Sequence, residues 1–228
     1  MAKDGPAVQQ KEPLLITPVP PDNLSVSLIT VDAGERLHRI HLDKYRATQF
    51  NPGVEGNARF SPIKDEKARA IPTLYAGSNF SCALMETLFH DVPHTSGFKS
   101  LAKGKFTGQN YSVIEVKEKL LLADLRGLAL RKLGIKRSQL IDTEKNHYPD
   151  TRKWAEAIHS QCRDVQGLLW VSRQDDTARA VMIFGDRVRA DALQPVGDSL
   201  SLLQDAGTWE QVLDLAGKIA LSIVPSLH

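Results

Sequence analysis

Apolar positions fall along this chain in short runs whose period changes repeatedly. Ser25 to Val31 and Leu37 to His41 read as strands, and Tyr111 to Val116 alternates apolar with polar residues, the pattern of a half-buried strand. Leu120 to Leu125 reads as a buried strand and Thr73 to Ala76 as a short one. Leu168 to Ser172 and Ala180 to Phe184 predict two more, joined by the polar turn Gln174 to Thr177. Asn51 to Pro62 carries Pro52, Gly53, Gly56 and Pro62 and reads as a loop. Ser78 is a good N-cap for a helix predicted to reach about Val92, where Pro93 stops it. A short helix ends at Gly134, a left-handed C-cap, and Thr151 to Gln161 is amphipathic. Thr208 and Gln211 match a capping box. Behind it Trp209, Val212, Leu213, Ala216, Ile219, Ala220 and Ile223 form one helical stripe. These elements predict an α+β fold of short mixed strands flanked by helices, without a regular βαβ repeat.

A chain of 228 residues can build one domain with a sizeable core. The Pro-rich polar stretch at 1–21 reads as a flexible N-terminal arm, leaving 22–228 as a single domain. The formal net charge is +2, and basic residues such as Arg126, Arg131, Lys132, Lys136 and Arg137 are scattered, so no nucleic-acid partner is expected. No apolar run is long enough for a membrane span, and Met1 to Pro21 lacks a signal-peptide core. Cys82 and Cys162 sit in helix-like apolar patterns and read as small buried hydrophobes in a reducing compartment. A cytoplasmic protein is the expectation.

Four stretches could carry chemistry. Glu86 stands on a helix that is apolar almost all round, with Phe80, Cys82, Ala83, Leu84, Met85, Leu88 and Phe89 as neighbours. A carboxylate there is costly unless it is paired or faces a polar cleft. It is either functional or a structural Glu bridged to an Arg. Arg59, in Arg59-Phe60-Ser61-Pro62 at the end of the Gly-rich loop, could grip a phosphate or carboxylate bidentately, although a loop Arg is more often solvated. Arg39, inside a strand-like pattern, is either cleft-facing or on an edge strand. Ser172 follows a buried strand, where a Ser is usually a turn residue. His90 and His94 have the i, i+4 spacing of a metal pair, but Pro93 breaks the helix that would align them, so no metal site is expected.

In order and spacing these stretches resemble the RES family, named for its Arg, Glu and Ser signature residues. The resemblance runs from about Leu37 to Phe184. Arg39 resembles the family's early Arg, and Gly56 to Pro62 its Gly-rich loop. Leu74-Tyr75-Ala76-Gly77-Ser78 to Glu86 is similar to its Tyr strand and Glu helix, Tyr148 to Ile158 to its later helix, and Gly167 to Ser172 to its Ser strand. The loop departs from the pattern: Phe60-Ser61 replaces Trp-Asn, and Asn57-Ala58 replaces a double Gly.

The resemblance implies an ADP-ribosyltransferase-like core and a toxin of a bacterial toxin–antitoxin pair. Such a toxin would cleave the nicotinamide–ribose bond of NAD by phosphorolysis or hydrolysis; the alternative is ADP-ribosyl transfer to a protein. It implies no cofactor, with NAD as substrate and inorganic phosphate as a co-substrate. Glu86, Arg39, Arg59 and Tyr75 would be the catalytic set, and Arg39, Arg59, Tyr75, Ser78 and Ser172 the substrate-binding set. The implied partner is an Xre-type antitoxin protein, and a homodimer is left open.

Overall fold

The computed structural model describes residues 16–93 and 96–226. In chain order its strands are β1 (Ser27–Val31), β2 (Arg36–Leu42), β3 (Ile63–Lys64), β4 (Ala70–Ile71), β5 (Thr73–Gly77), β6 (Lys99–Ala102), β7 (Gln109–Val116), β8 (Leu120–Asp124), β9 (Gly167–Val171), β10 (Arg179–Phe184), β11 (Leu193–Ser201) and β12 (Leu221–Val224). The α-helices are α1 (Phe80–Met85), α2 (Gly127–Lys132), α3 (Arg137–Leu140), α4 (Tyr148–Gln161) and α5 (Ala206–Lys218). Eight strands form one sheet in the order β1-β8-β9-β10-β5-β2-β7-β11, and β3–β4 and β6–β12 are separate pairs. In the large sheet only β8 and β9 run parallel. The fold is α+β, as the hydrophobic pattern predicts.

Alternation along the strands sends side chains to two faces with different covers. One face carries Val31, Leu37, Leu74, Ile114, Leu122, Leu169, Val181 and Leu193, a buried cluster to which no helix contributes. Phe50 and Val188, from segments between the strands, pack against it. The other face divides in two. Trp170, Ala180 and Met182 pack with Trp154 and Ile158 of α4. Ile40 packs with Phe80 and Leu84 of α1 and with Val212 and Leu215 of α5. The seam between these halves is where the cavity described below opens.

Several boundaries differ from the sequence reading. The helix predicted from Ser78 to Val92 is only six residues long, and Asn79, not Ser78, caps it by accepting a bond from the Cys82 amide at 2.7 Å. Beyond Met85 the chain turns: the Thr87 hydroxyl back-bonds to the Ala83 carbonyl at 2.6 Å, and the Phe89 amide reaches the Leu84 carbonyl at 3.1 Å. The apolar signal of Leu88 and Phe89 therefore reports core burial, not helix. In α5 the cap is Asp205, whose carboxylate accepts from the Thr208 amide and hydroxyl at 2.8 and 2.7 Å; the Thr208–Gln211 box is not used. Ile219 is the C-cap, Ala220 has φ +53°, and Ile223 lies in β12, so the stripe ends early and Leu213 is 46% exposed.

The N-terminal arm falls mostly on residues 1–15, outside the described residues. From Ile16 onward the chain is tied down: the Thr17 hydroxyl donates to the Gln139 carbonyl at 2.6 Å, and the Trp154 indole N–H donates to the Pro18 carbonyl at 2.7 Å. This corrects the flexible reading for Ile16 to Pro21. Trp154 is fully buried and its N–H needs an acceptor that α4 cannot supply. No helix among the described residues is long and apolar enough to cross a membrane.

Candidate functional site

The seam holds a cavity of about 280 Å³. β2 and β5 share a single registered pair, His38–Gly77, and residues beyond it on both strands line the opening: Arg39 and Ile40 on one side, Tyr75 and Ala76 on the other. Glu86 and Thr87 enter from the end of α1, Asn57 to Arg59 from the Gly-rich loop, and Tyr148 from the start of α4. His90, Asp91, Lys145 and Trp170 complete the part of the wall that matters chemically.

Glu86 reaches this wall because α1 lies directly on β5. A Cβ added at Gly77 would come within 2.8 Å of the Ala83 amide nitrogen and 2.9 Å of the Cys82 Cβ, so only glycine permits the approach. Glu86 is the C-cap of that helix. Its Oε1 accepts from the Ser172 hydroxyl at 2.7 Å and from the Arg173 amide at 3.2 Å. Its Oε2 stands 3.7 Å from Arg59 Nη1, and both side chains are nearly shielded from solvent. One carboxylate oxygen is thus pinned, and the other faces a guanidinium.

The segment that pins it is itself clamped. Arg137 donates to the Ser172 carbonyl at 3.1 Å while bridging Asp142 at 3.0 Å. The Arg173 guanidinium holds the Thr143 carbonyl at 3.0 Å and Glu144 at 2.5 Å.

Arg59 is under-coordinated. Its Nε and Nη2 are buried and find no acceptor, while the guanidinium carbon lies 5.7 Å from the centre of the Tyr148 ring. The loop around it is fixed from α4: Arg152 donates to the Ala58 carbonyl at 3.1 Å and to Asn57, and the Thr151 hydroxyl donates to the Arg59 carbonyl. A buried cation without full partners invites an anion.

Arg39 answers the question its sequence context raises: β2 is an interior strand, and the side chain is buried. Nη1 donates to the carbonyls of Ala47 and Gln49 at 2.6 and 2.8 Å, so part of its capacity ties down a loop. Burial lowers its pKa to about 10, which leaves it charged at neutral pH.

Tyr75 borders the cavity with its hydroxyl turned to the Gly-rich loop, where it accepts from the Phe60 amide at 3.1 Å. Burial pushes its pKa up to about 12, so it remains a phenol. Its ring meets Trp170 edge-on at 6.2 Å.

The structure therefore brings Glu86, Arg39, Arg59 and Tyr75 to one cavity. Ser172 and Ser78 are placed elsewhere. Ser172 is fully buried behind Glu86 and is not among the lining residues. Ser78 accepts from the Arg179 amide at 3.0 Å at the β5–α1 turn and does not line the cavity either. Sequence reasoning misses His38, His90, Tyr148 and Trp170 as wall residues. His38 bonds the Tyr111 hydroxyl at 2.6 Å, and burial followed by Arg36 lowers its pKa. Tyr148 bonds His90 Nε2 at 2.8 Å, and burial raises its pKa. His90 is engaged by Tyr148 and, at 3.0 Å, by Asp91, whereas His94 lies outside the described residues. Among the described residues no group of three or more His, Cys, Asp or Glu could hold a metal ion.

The RES domain family model matches residues 36–205, most of the chain, and the chain belongs to that family. No curated protein matches it. Among solved structures it is similar to one chain of the M. tuberculosis MbcT–MbcA toxin–antitoxin complex. The TM-score is 0.58 at 15% sequence identity, over 82% of this chain and 92% of that one. At this identity the likeness is one of fold.

Proposed function

We propose that this chain cleaves the bond between nicotinamide and ribose in NAD, with water or inorganic phosphate as the incoming nucleophile. The observation that carries the reading is Glu86: a carboxylate pinned by Ser172 and Arg173 in a cavity whose wall holds the buried Arg59. Nicotinamide leaves NAD as a neutral base from a cationic pyridinium, so its departure needs no general acid. The charge that develops is an oxocarbenium cation on the ribose, and one fixed carboxylate suits it where ordinary glycosidases use two. Arg59, with Arg39 nearby, supplies positive charge for the substrate's phosphates. Tyr75, Tyr148 and Trp170 offer aromatic surface to a cationic ring. NAD is a substrate here, consumed rather than retained as a cofactor.

Membership of the RES family and the likeness to a chain of a toxin–antitoxin complex support a wider role. In this reading the protein is a cytoplasmic toxin that depletes NAD and is restrained by an antitoxin covering the cavity. An anionic group on the antitoxin would compete with substrate for Arg59.

Incubating the purified chain with NAD, with and without phosphate, and identifying the products is the direct test. Free nicotinamide together with ADP-ribose or its 1-phosphate is expected. Glu86→Gln keeps size and hydrogen bonding while removing charge, so turnover should fall on the order of a hundredfold or more in a folded protein. Near-unchanged turnover by this variant overturns the assignment. Label appearing on protein instead of in small products would make the chain an ADP-ribosyltransferase.

A further inference from the structure

We infer that Tyr148 and His90 are positioning residues for the Glu86 carboxylate: Tyr148 offers a ring face to Arg59, Arg59 faces the carboxylate oxygen that Ser172 leaves free, and His90 fixes the ring. The inference rests on the reading of Glu86 as the carboxylate that meets the ribose, and it adds what aims that carboxylate.

Arg59 needs a second hold. Its guanidinium is buried, and Nε and Nη2 find no acceptor among the described residues. Its charge meets Glu86 Oε2 at 3.7 Å from Nη1, which is longer than a hydrogen bond. It also meets the Tyr148 ring, whose centre lies 5.7 Å from the guanidinium carbon. A cation within about 6 Å of a ring centre is drawn to the ring, most strongly where water is excluded. Tyr148 is only 1% exposed. A ring face carries no formal charge, so it holds the cation without competing with Glu86 as a second carboxylate would.

The ring is held in turn. Burial raises the Tyr148 pKa, so its hydroxyl keeps a proton, and that hydroxyl lies 2.8 Å from His90 Nε2. His90 Nδ1 lies 3.0 Å from Asp91 Oδ1, and a carboxylate only accepts. Nδ1 therefore carries the proton of the neutral imidazole, and Nε2 accepts from Tyr148. Lys145, just ahead of α4, pairs with the second Asp91 oxygen at 2.5 Å. These two contacts tie the segment after α1 to the start of α4. The His90 carbonyl accepts from the Gln174 side chain at 3.3 Å. The Gln174 amide donates at 3.1 Å to the Ser172 hydroxyl, the one that pins Glu86. Glu86, Arg59, Tyr148, His90, Gln174 and Ser172 thus form a circuit that starts and ends on one carboxylate. It fixes Oε1 through Ser172 and Oε2 through Arg59.

The test separates the ring from its hydroxyl. Tyr148→Leu removes the face, whereas Tyr148→Phe keeps it and drops the bond to His90. In the leucine variant kcat for nicotinamide release from NAD should fall about ten- to a hundredfold, with KM changing less, as for a displaced catalytic group. Tyr148→Phe and His90→Ala remove the same bond. Each should cost less than the leucine variant, and the two together should cost no more than the worse single change. Solvent exchange of the Arg59 Nε–H, followed by NMR, reports the same placement without turnover. It should be slow in the wild-type protein, where that nitrogen is shielded, about tenfold faster or more in Tyr148→Leu, and intermediate in the other two. Wild-type kcat and exchange in a folded Tyr148→Leu protein overturn the inference. So do additive losses in the double variant, which decide the matter if the leucine variant does not fold, and so does rapid exchange in the wild type. If exchange responds as expected in a protein that releases no nicotinamide, the placement of Arg59 stands and the cleavage reading falls. If NAD is cleaved equally well by all three variants, the cleavage reading stands and the positioning falls.

Discussion

The part each polar residue plays follows from which partner it has and which it lacks. Ser172 has two partners: its hydroxyl donates to Glu86 Oε1 at 2.7 Å and accepts from the Gln174 amide at 3.1 Å. It is therefore a positioning residue for the carboxylate. Ser172→Ala removes one of the two bonds on Oε1 and leaves Arg173 to hold it alone. Turnover should drop about ten- to a hundredfold with KM nearly unchanged, the mark of a displaced catalytic group rather than a lost ligand contact. Stability should fall by about 1–3 kcal/mol as the Gln174 amide loses its acceptor. A rise in KM at constant kcat would instead make Ser172 a substrate ligand. The sequence could single out Ser172, Glu86, Arg59 and Arg39 because each stands in or beside an apolar or glycine-rich pattern, whereas Tyr75 entered only through the family resemblance. It could not tell a ligand contact from a buried support, since that depends on which way the chain carries Ser172 as it leaves β9. Trp170 stays hidden for the opposite reason: it sits within the apolar run Leu168 to Val171 and reads as ordinary core.

At the scale of elements, the site depends on one close contact and on strands that propensity does not advertise. Gly77→Ala would put a methyl group against the Ala83 amide nitrogen and the Cys82 Cβ and push α1 from β5. Overpacking of this kind costs about 1–3 kcal/mol. Because Glu86 caps the same helix, turnover should fall further than the lowered urea midpoint explains. An alanine variant with wild-type midpoint and activity would show that the helix has room to move. The sequence made the interior strands legible through β-branched and apolar runs. It missed β11, whose Pro195 and Gly197 are turn residues by composition. That strand tolerates both because it is the sheet's edge and its register shifts between Val196 and Leu200. It also missed β6 and β12, four residues each, which find each other only through the tertiary fold.

Over the whole molecule, stability is tied to pH through β2, an interior strand that gives Leu37 to one core cluster and Ile40 to another. It places His38 and His41 on opposite faces of the sheet, and the His41 ring is used as a neutral base. His41 Nδ1 lies 2.9 Å from the Leu42 carbonyl, which can only accept, so Nδ1 carries the proton. Nε2 is left to accept from the Ser112 hydroxyl at 2.8 Å, and that hydroxyl meets Ser199 at 2.7 Å. Protonation removes the acceptor and adds charge beside Arg39. Burial is the first cause that lowers both imidazoles below the ordinary value of 6.5, with Arg36 adding to it at His38 and Arg39 at His41. The sign follows. Between the lowered folded value and 6.5 the unfolded chain binds more protons than the folded one, so stability rises with pH in that window. It is complete above 6.5 and is lost as pH falls below it. Carboxylates held low by their partners, such as Asp205 and Asp65, lose their contribution only nearer pH ~4, outside the window. The urea midpoint should therefore drop from about pH 7.5 to about pH 5.5. His41→Gln, whose amide can donate to Leu42 and accept from Ser112, should flatten the slope, and adding His38→Gln should flatten it further. A midpoint that holds or rises on acidification, or a slope unchanged in the double variant, would show that these rings do not titrate with unfolding.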